Sequence, residues 1–227
     1  PLILHNLKFL DISQNDLYEI DFSQYKFTFD SLQNIRLASN KLKCLPDSLL
    51  EVKTLSDISL ESNELSEETC DFTNFSNLAH LDLFLNCFNS LPSLPESLVS
   101  LNIGFNMIRS ISYHAENLTE LILSGNEMTE FSSDCFFSNL KTLDLSMNRL
   151  VGLPPIISFA PNLQKLNCSY NFGTTLHIGS THINQIQYTN KLIQIYNYSN
   201  QNKLNIRSKN QNDIFDLKLL MYNTDDK

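Results

Sequence analysis

A repeating pattern of leucine and asparagine constrains the fold of this chain more than any other feature of its sequence. Eight blocks follow the pattern LxxLxLxxNxL, for example LAHLDLFLNCF at 78–88 and LKTLDLSMNRL at 140–150. Apolar residues fill 31 of the 32 slots that the pattern reserves for them, and only Gly173 departs from it. The asparagines recur about every 22 residues, a period typical of solenoids built from stacked short units. They are Asn15, Asn40, Asn63, Asn86, Asn106, Asn126, Asn148 and Asn171.

The alternation inside each block predicts a short β-strand. Leu81 and Leu83 are separated by one polar residue, so they point to one face of a strand, while His80 and Asp82 point to the other. One such strand cannot bury its apolar face alone, whereas stacked neighbours form a parallel sheet over a continuous core. We therefore expect a strand on the third to fifth residue of each block.

The pattern over residues 7–173 resembles the leucine-rich-repeat family. The resemblance implies an α/β-type repeat solenoid: a curved horseshoe with one parallel β-sheet of about nine strands and a mostly irregular convex side. It also implies that the eight asparagines form a structural ladder, in which their amides satisfy backbone groups of the turns. Phe75, Phe137 and Phe159 resemble the stacked phenylalanines of the family's convex layer. The segment 183–191 lacks the asparagine, and we interpret it as a degenerate ninth strand.

The repeats predict a solenoid domain over residues 1–191. The remaining segment, 192–227, departs from the pattern and is rich in Asn, Gln and Lys in its first half. We expect it to be a C-terminal cap, and the start of a following domain is the alternative.

Charge and missing motifs exclude several classes of function. The formal net charge is −9 and the pI is about 4.9, which argues against nucleic-acid binding because phosphate contacts need clustered Lys and Arg. No apolar run approaches the length of a membrane span. The phosphate-loop, zinc-hydrolase and nucleophile-elbow motifs do not occur, so we expect no catalytic residue, metal site or cofactor. Five scattered cysteines, an odd number, suit a reducing compartment, so we expect a cytoplasmic protein.

Function is then expected on the concave face of the sheet and its rim, at the exposed positions of the strands and of the turns that follow them. Acidic residues outnumber basic ones there, which predicts a protein partner with a basic surface, although an acidic surface also favours solubility. The acidic residues are Asp11, Asp57, Glu61, Asp82, Glu120 and Asp144, and the basic ones are Arg36 and Lys165.

An apolar centre with a polar rim is the predicted contact surface. It comprises Phe84, Phe105, Ile122, His80, Asp82, Asn102, Glu120 and Asp144. Leu85 and Tyr170 are further apolar residues in exposed slots, and packing along the rim of the sheet is the alternative role for Leu85 and Phe105.

The expected function is that of a non-enzymatic protein–protein interaction scaffold, because leucine-rich-repeat arrays generally bind other proteins. The repeats also resemble, more weakly, the regulatory regions of fungal and protist adenylyl cyclases and of metal-dependent protein phosphatases. A regulatory fragment of a larger signalling enzyme is therefore the second hypothesis. An extracellular pattern-recognition receptor ectodomain is the third, although the cysteine-rich cap common in such proteins is not visible at the start. The sequence does not indicate an oligomeric state.

Overall fold

The computed structural model describes residues 4–20, 29–153, 156–172, 175–177, 183–188, 194–197, 205–208 and 218–221. The chain divides into two compact units, Pro1–Met107 and Ile108–Lys227. Both units are built from the same repeat, in which a three-residue strand is followed by a turn and an irregular return segment.

The first unit contributes one strand from each of its five repeats. The strands are β1 (Phe9–Asp11), β2 (Asn34–Arg36), β3 (Asp57–Ser59), β4 (His80–Asp82) and β5 (Ser100–Asn102). They pair in parallel and in sequence order, with equivalent residues of neighbouring repeats in register. A one-turn 3-10 helix, Asp47–Leu49, lies in the return segment after β2. Each strand occupies the third to fifth residue of its block, as the alternation predicts.

The second unit continues the repeat and adds two smaller sheets. Its elements are β6 (His114–Ala115), β7 (Glu120–Ile122), β8 (Phe136–Phe137), β9 (Thr142–Asp144), α1 (Ile156–Phe159), β10 (Lys165–Asn167), β11 (Thr175–His177), β12 (Gln185–Tyr188), β13 (Gln194–Asn197), β14 (Asn205–Ser208) and β15 (Lys218–Met221). Parallel pairs join β7, β9, β10, β12 and β14 in that order. The strands β11, β13 and β15 form a second parallel sheet, and β6 pairs with β8.

The predicted fold class, a leucine-rich-repeat solenoid of parallel strands with a mostly irregular convex side, is confirmed. Among the described residues, ten strands occupy the strand position of a repeat, against about nine predicted. The degenerate strand predicted at 183–191 is β12, and β14 is the additional one. The domain boundary at 191 stays a prediction, because most of 192–227 lies outside the described residues.

The core consists of the apolar slots of the repeat. Leu81 and Leu83 of one repeat and Leu101 of the next are almost completely buried, as the strand alternation predicts. Phe75 and Phe137, which stand before the following repeat, are completely buried on the return side. Burial of this apolar area stabilises the fold, at roughly 25 cal/mol for each Å² removed from water.

The ladder asparagines join each repeat to its neighbours through three kinds of hydrogen bond. The Asn106 amide nitrogen donates to the Leu83 carbonyl of the preceding repeat at 3.0 Å and to the Ile103 carbonyl of its own turn at 3.1 Å. The Asn106 side-chain oxygen accepts from the Phe88 backbone N–H at 3.0 Å. These bonds satisfy backbone groups that the turn leaves unpaired inside the fold. The same contacts are made by Asn40, Asn63, Asn86, Asn148 and Asn171.

A second set of asparagines, which the sequence pattern did not reveal, stands just before the first leucine of a repeat. Asn77 donates its amide N–H to the Lys53 carbonyl at 2.8 Å, and Asn139 donates to the Glu116 carbonyl at 2.7 Å. Asn162 makes the equivalent bond to the repeat before it. Asparagine side chains therefore form hydrogen bonds between neighbouring repeats both before the strand and in the turn after it.

Replacing Asn106 with Leu should lower the free energy of unfolding by about 1–3 kcal/mol for each buried backbone group left unsatisfied. Asn15→Leu is the matched control, because Asn15 is exposed and, among the described residues, donates to carbonyls of its own turn alone, those of Ile12 and Ser13. Urea denaturation followed by circular dichroism measures both changes. Equal midpoints for Asn106→Leu and the wild type would contradict the role assigned to the ladder.

Candidate protein-binding site

Strand residues alternate between the core and an open face of the sheet. On β4, Leu81 is buried, His80 is exposed and Asp82 is half-buried. On β5, Leu101 is buried while Ser100 and Asn102 are half-buried. Successive side chains of a strand point to opposite faces, so the third and fifth residues of each repeat form the open face, which is the concave face of the sequence prediction.

An aromatic pair stands where β4 and β5 lead into their turns. The ring centroids of Phe84 and Phe105 are 5.0 Å apart, and the ring planes are inclined by 49°. The Leu85 backbone N–H donates to the Gly104 carbonyl at 2.9 Å, which holds the two turns side by side. Phe84 is half-buried and 37% of Phe105 is exposed, so both rings remain accessible from outside. Such a tilted contact between rings is favourable for aromatic side chains.

The polar residues beside the aromatic pair support the turns that carry it. The Asp82 carboxylate accepts a hydrogen bond from the Phe84 backbone N–H at 2.9 Å, and the Asn102 side-chain oxygen accepts one from the Gly104 N–H at 3.2 Å. Burial raises the pKa of the Asp82 carboxyl above its ordinary value, while the bonds from Phe84 and Asn102 act in the opposite direction. Asp82 and Asn102 therefore position the turns in addition to lining the open face.

His80 and Asp57 are register partners on neighbouring strands of the open face. His80 is exposed, and the Asp57 carboxylate accepts a hydrogen bond from the Ser56 hydroxyl at 2.5 Å. Glu61 stands two residues beyond β3, beside Phe84, because the Ser62 backbone N–H donates to the Phe84 carbonyl at 2.8 Å. Acidic and aromatic groups are thus adjacent at this edge of the first unit.

The predicted contact surface divides between the two units, with five residues in the first and three in the second. In the second unit, Glu120 and Ile122 are half-buried on β7, and Ile122 is the register partner of Asp144 on β9. The Asp144 carboxylate accepts hydrogen bonds from the Ser146 backbone N–H at 2.8 Å and from the Asn167 amide at 3.0 Å. Asp144 is therefore engaged with its own and the next repeat.

Beside the predicted contact residues, several more apolar residues of the turns are exposed, among them Leu85 and Tyr170, whose slots the sequence pattern had placed at the surface. They lie in the eighth and tenth slots of the repeat, on either side of the ladder asparagine, and they are Leu85, Met107, Met147, Tyr170 and Phe172. The eighth residue has a left-handed backbone in every repeat, with φ between 52° and 69°. The sequence signal for these exposed residues is the residue type in the eighth slot, where apolar side chains replace the Gln, Ser or Gly found in the other repeats.

Three of the cysteines, Cys70, Cys135 and Cys168, are buried inside the repeats, and none of the five, all of which lie in the described ranges, forms a disulfide. Burial raises the pKa of the Cys70 thiol to about 11 and that of Cys168 to about 12, so both stay protonated and unreactive.

Within the described ranges, no group of His, Cys, Asp and Glu is arranged to hold a metal ion. In that same part of the chain, none of the helices has the length and apolar character to cross a lipid bilayer.

The parallel strands, the asparagine bonds and the open face define a repeat solenoid of the type that serves protein interaction. A family model described as "Leucine rich repeat" matches residues 116–172. Lumican from Oryctolagus cuniculus is 34% identical over 165 residues, which cover 67% of this chain and 82% of that sequence. The chain therefore belongs to the leucine-rich-repeat family.

Two further similarities place the chain within this broad family. Adenylate cyclase from Schizosaccharomyces pombe is 24% identical over 236 residues, which cover 82% of this chain and 14% of the enzyme. The crystal structure of the APL1 leucine-rich repeat domain aligns with a TM-score of 0.66 at 20% identity, covering 86% of this chain and 52% of that chain, and so supports the fold. The chain spans about half the length of most of the curated lumicans that it matches.

Replacing Asp82 with Asn should raise the free energy of unfolding at neutral pH. A raised pKa means that the folded chain binds this proton more tightly than the unfolded chain, so ionisation of Asp82 destabilises the fold as pH rises. Asn removes that charge and keeps the acceptor for the Phe84 N–H, as Asn102 does in the next repeat. Urea titrations at a series of pH values measure the difference, which should shrink as pH falls from the raised pKa of the folded chain towards the ordinary Asp value of 3.8 and be absent below it.

Asp11→Asn, in the same slot of the first repeat, is a control of opposite sign. The hydrogen bond from the Ser13 backbone N–H lowers the pKa of the Asp11 carboxyl, so the ionised form stabilises the fold and this stability is lost as pH falls. The substitution should therefore destabilise at neutral pH. A lower free energy of unfolding in both variants would contradict the conclusion that burial makes the ionised Asp82 carboxylate destabilising.

Proposed function

We propose that this chain is a protein-interaction module that binds another protein through the open face of its repeats and performs no catalysis itself. The contact between Phe84 and Phe105 carries the proposal, because an accessible aromatic pair framed by polar groups is how protein interfaces concentrate binding energy. His80, Asp82 and Asn102 supply the frame in the first unit. In the second unit, Ile122 with Glu120 and Asp144 is proposed as a second contact on the open face of that unit.

The partner is proposed to present Lys or Arg to the open face. Asp57, Glu61 and Asp82 form no ion pair within the described part of the first unit. The basic residue of this face, Arg36, has its guanidinium 5.3 Å from the centre of the Phe9 ring, so it is already engaged in a cation–π contact. The charge that the open face offers to a partner near the aromatic pair is therefore negative.

A regulatory segment of a larger signalling enzyme is the second candidate function. It is favoured by the similarity to adenylate cyclase, which extends over 82% of this chain. The five scattered cysteines, an odd number, favour a reducing compartment and so a cytoplasmic setting for either function. Identification of the longer gene product tests this candidate, since a cyclase or phosphatase domain on the same polypeptide would support it.

Photo-crosslinking tests where the partner binds. A photoreactive amino acid in place of His80, on the open face, should give a discrete adduct with one protein in the cells that make this chain. The same amino acid in place of Asn74, exposed on the return side, is the matched control and should not give that adduct. Phe84→Ala and Phe105→Ala should each weaken binding of the recovered partner by at least about 2 kcal/mol if these rings are hot spots. Identical adducts from both positions would contradict the proposal.

The association rate of the recovered partner should fall as salt rises, because exposed charges are screened beyond about 8–10 Å at physiological ionic strength. Stopped-flow or surface plasmon resonance measurements at increasing NaCl give the slope. Asp57→Asn and Glu61→Gln should flatten that slope, and Glu51→Gln, on the exposed return side, should leave it unchanged. An association rate independent of salt would support the alternative that the acidic face serves solubility alone.

A further inference from the structure

The residue before each ladder asparagine adopts a backbone conformation that bulky side chains disfavour. Leu85 has φ of 55° and Phe105 has φ of 52°, in the left-handed region where the Cβ atom crowds the backbone. The corresponding residues of the first three repeats are Gln14, Ser39 and Ser62, which are smaller or polar. Leucine and phenylalanine are therefore poor choices for this position on grounds of backbone conformation alone.

Burial does not compensate for this strain. Leu85 is 47% exposed, and Phe105 is 37% exposed although its ring contacts that of Phe84. A side chain that is both strained and exposed contributes little to folding, so its apolar surface remains available for a contact outside the chain.

The exposed apolar surface continues to the tenth slot of the repeat, which is the residue after each ladder asparagine. The side chains of this slot form a row along the side of the sheet. In the early repeats this row is charged, and Lys41 pairs with Asp16 at 2.8 Å. In the next repeats the same tenth slot holds Cys87 and Met107, and both are exposed. The Met107 backbone N–H donates to the Phe88 carbonyl at 2.9 Å, which aligns these two turns.

Carboxylates border this apolar surface on the side of the preceding repeat. Glu61 occupies the seventh slot, as Phe84 does in the next repeat, so their backbones lie about one strand spacing, ~4.8 Å, apart. Among the described residues, no hydrogen bond or ion pair engages the Glu61 carboxylate. Asp82 stands beside it on the open face. An unpaired carboxylate next to an exposed apolar surface is complementary to a cation next to an apolar side chain.

We propose that the corner formed by Phe84, Leu85, Phe105 and Met107 seats a large apolar side chain of a partner protein, while a Lys or Arg close to it in the partner's sequence pairs with Glu61. The partner segment thus crosses from the open face onto the side of the sheet. This inference rests on the proposed function and adds to it the chemistry of the segment that is bound.

A peptide selection tests the inference without a known partner. The probe is a phage-displayed library of random linear peptides, panned against the whole chain and depleted on the Leu85→Asn/Phe105→Asn variant. The surviving peptides should share a Lys or Arg within a few residues of a large apolar residue. A synthetic copy of the leading peptide should lose at least about tenfold in affinity for Phe105→Asn and for Glu61→Gln. Ser62→Asn, in the same strained slot one repeat earlier, should bind it like the wild type.

Stability measurements on the same variants separate binding from folding. Asn tolerates the left-handed region, so Leu85→Asn should unfold at the same or a higher urea concentration than the wild type. A clear loss of stability in Leu85→Asn would overturn the inference, because the side chain would then serve the fold. Surviving peptides without a basic residue, or peptides unaffected by Glu61→Gln, would overturn it as well.

The remaining outcomes distinguish this inference from the proposed function. If a protein crosslinks from position 80 but its binding ignores Leu85→Asn and Phe105→Asn, the open-face function stands and the corner is overturned. If no protein crosslinks from position 80, yet peptides bind the corner as described, the corner stands and the open-face function fails. Sedimentation of the chain alone adds one more outcome. If the chain forms a dimer and Phe105→Asn dissociates it, a second copy of the chain occupies the corner. That result would overturn the proposal of a separate partner protein.

Discussion

The buried side chain of the ladder asparagine is the interaction on which the rest of the structure depends. Each interior amide bonds the carbonyl of its own turn, the carbonyl of the preceding repeat and a backbone N–H, so one side chain connects two repeats. A three-residue strand with one apolar face has too little contact area to be stable alone. The amide resolves this difficulty, because it allows a sharp turn inside the core without leaving polar backbone groups unpaired.

That turn determines the character of the face available to partners. In several repeats, an Asp or Asn at the end of the strand accepts the backbone N–H two residues later, as Asp82 and Asn102 do in the first unit and Asp144 does in the second. Such a carboxylate is partly satisfied by the chain itself. Selectivity is therefore expected to depend most on groups such as the Glu61 carboxylate, which no other described residue bonds, and on the exposed apolar side chains beside it.

The sequence pattern predicted the strand positions and the place of the ladder asparagines, because these depend on a short pattern that recurs in every repeat. It also predicted that Phe84 and Phe105 belong to neighbouring repeats, which the structure shows in contact. It missed Met107 as a member of this exposed surface, since no periodic pattern reports how much of an individual side chain remains uncovered. Similarly, the hydrogen bonds made by Asn77 join residues of different repeats and leave little trace in a single block.

By itself, the sequence determined that the chain stacks short strands in parallel with leucine inside, because the alternation and the repeat leave one way to bury the apolar slots. Only the tertiary structure decided which exposed groups stand next to one another and which of them the chain itself satisfies. Within the part of the chain that the structure describes, Glu61 is unpaired beside Phe84, whereas Asp82 is bonded to the Phe84 N–H. The physical reason is that hydrogen bonds and ring contacts depend on distances of a few ångströms between turns of different repeats. Those distances are set by the packing of the repeats and not by any local run of residues.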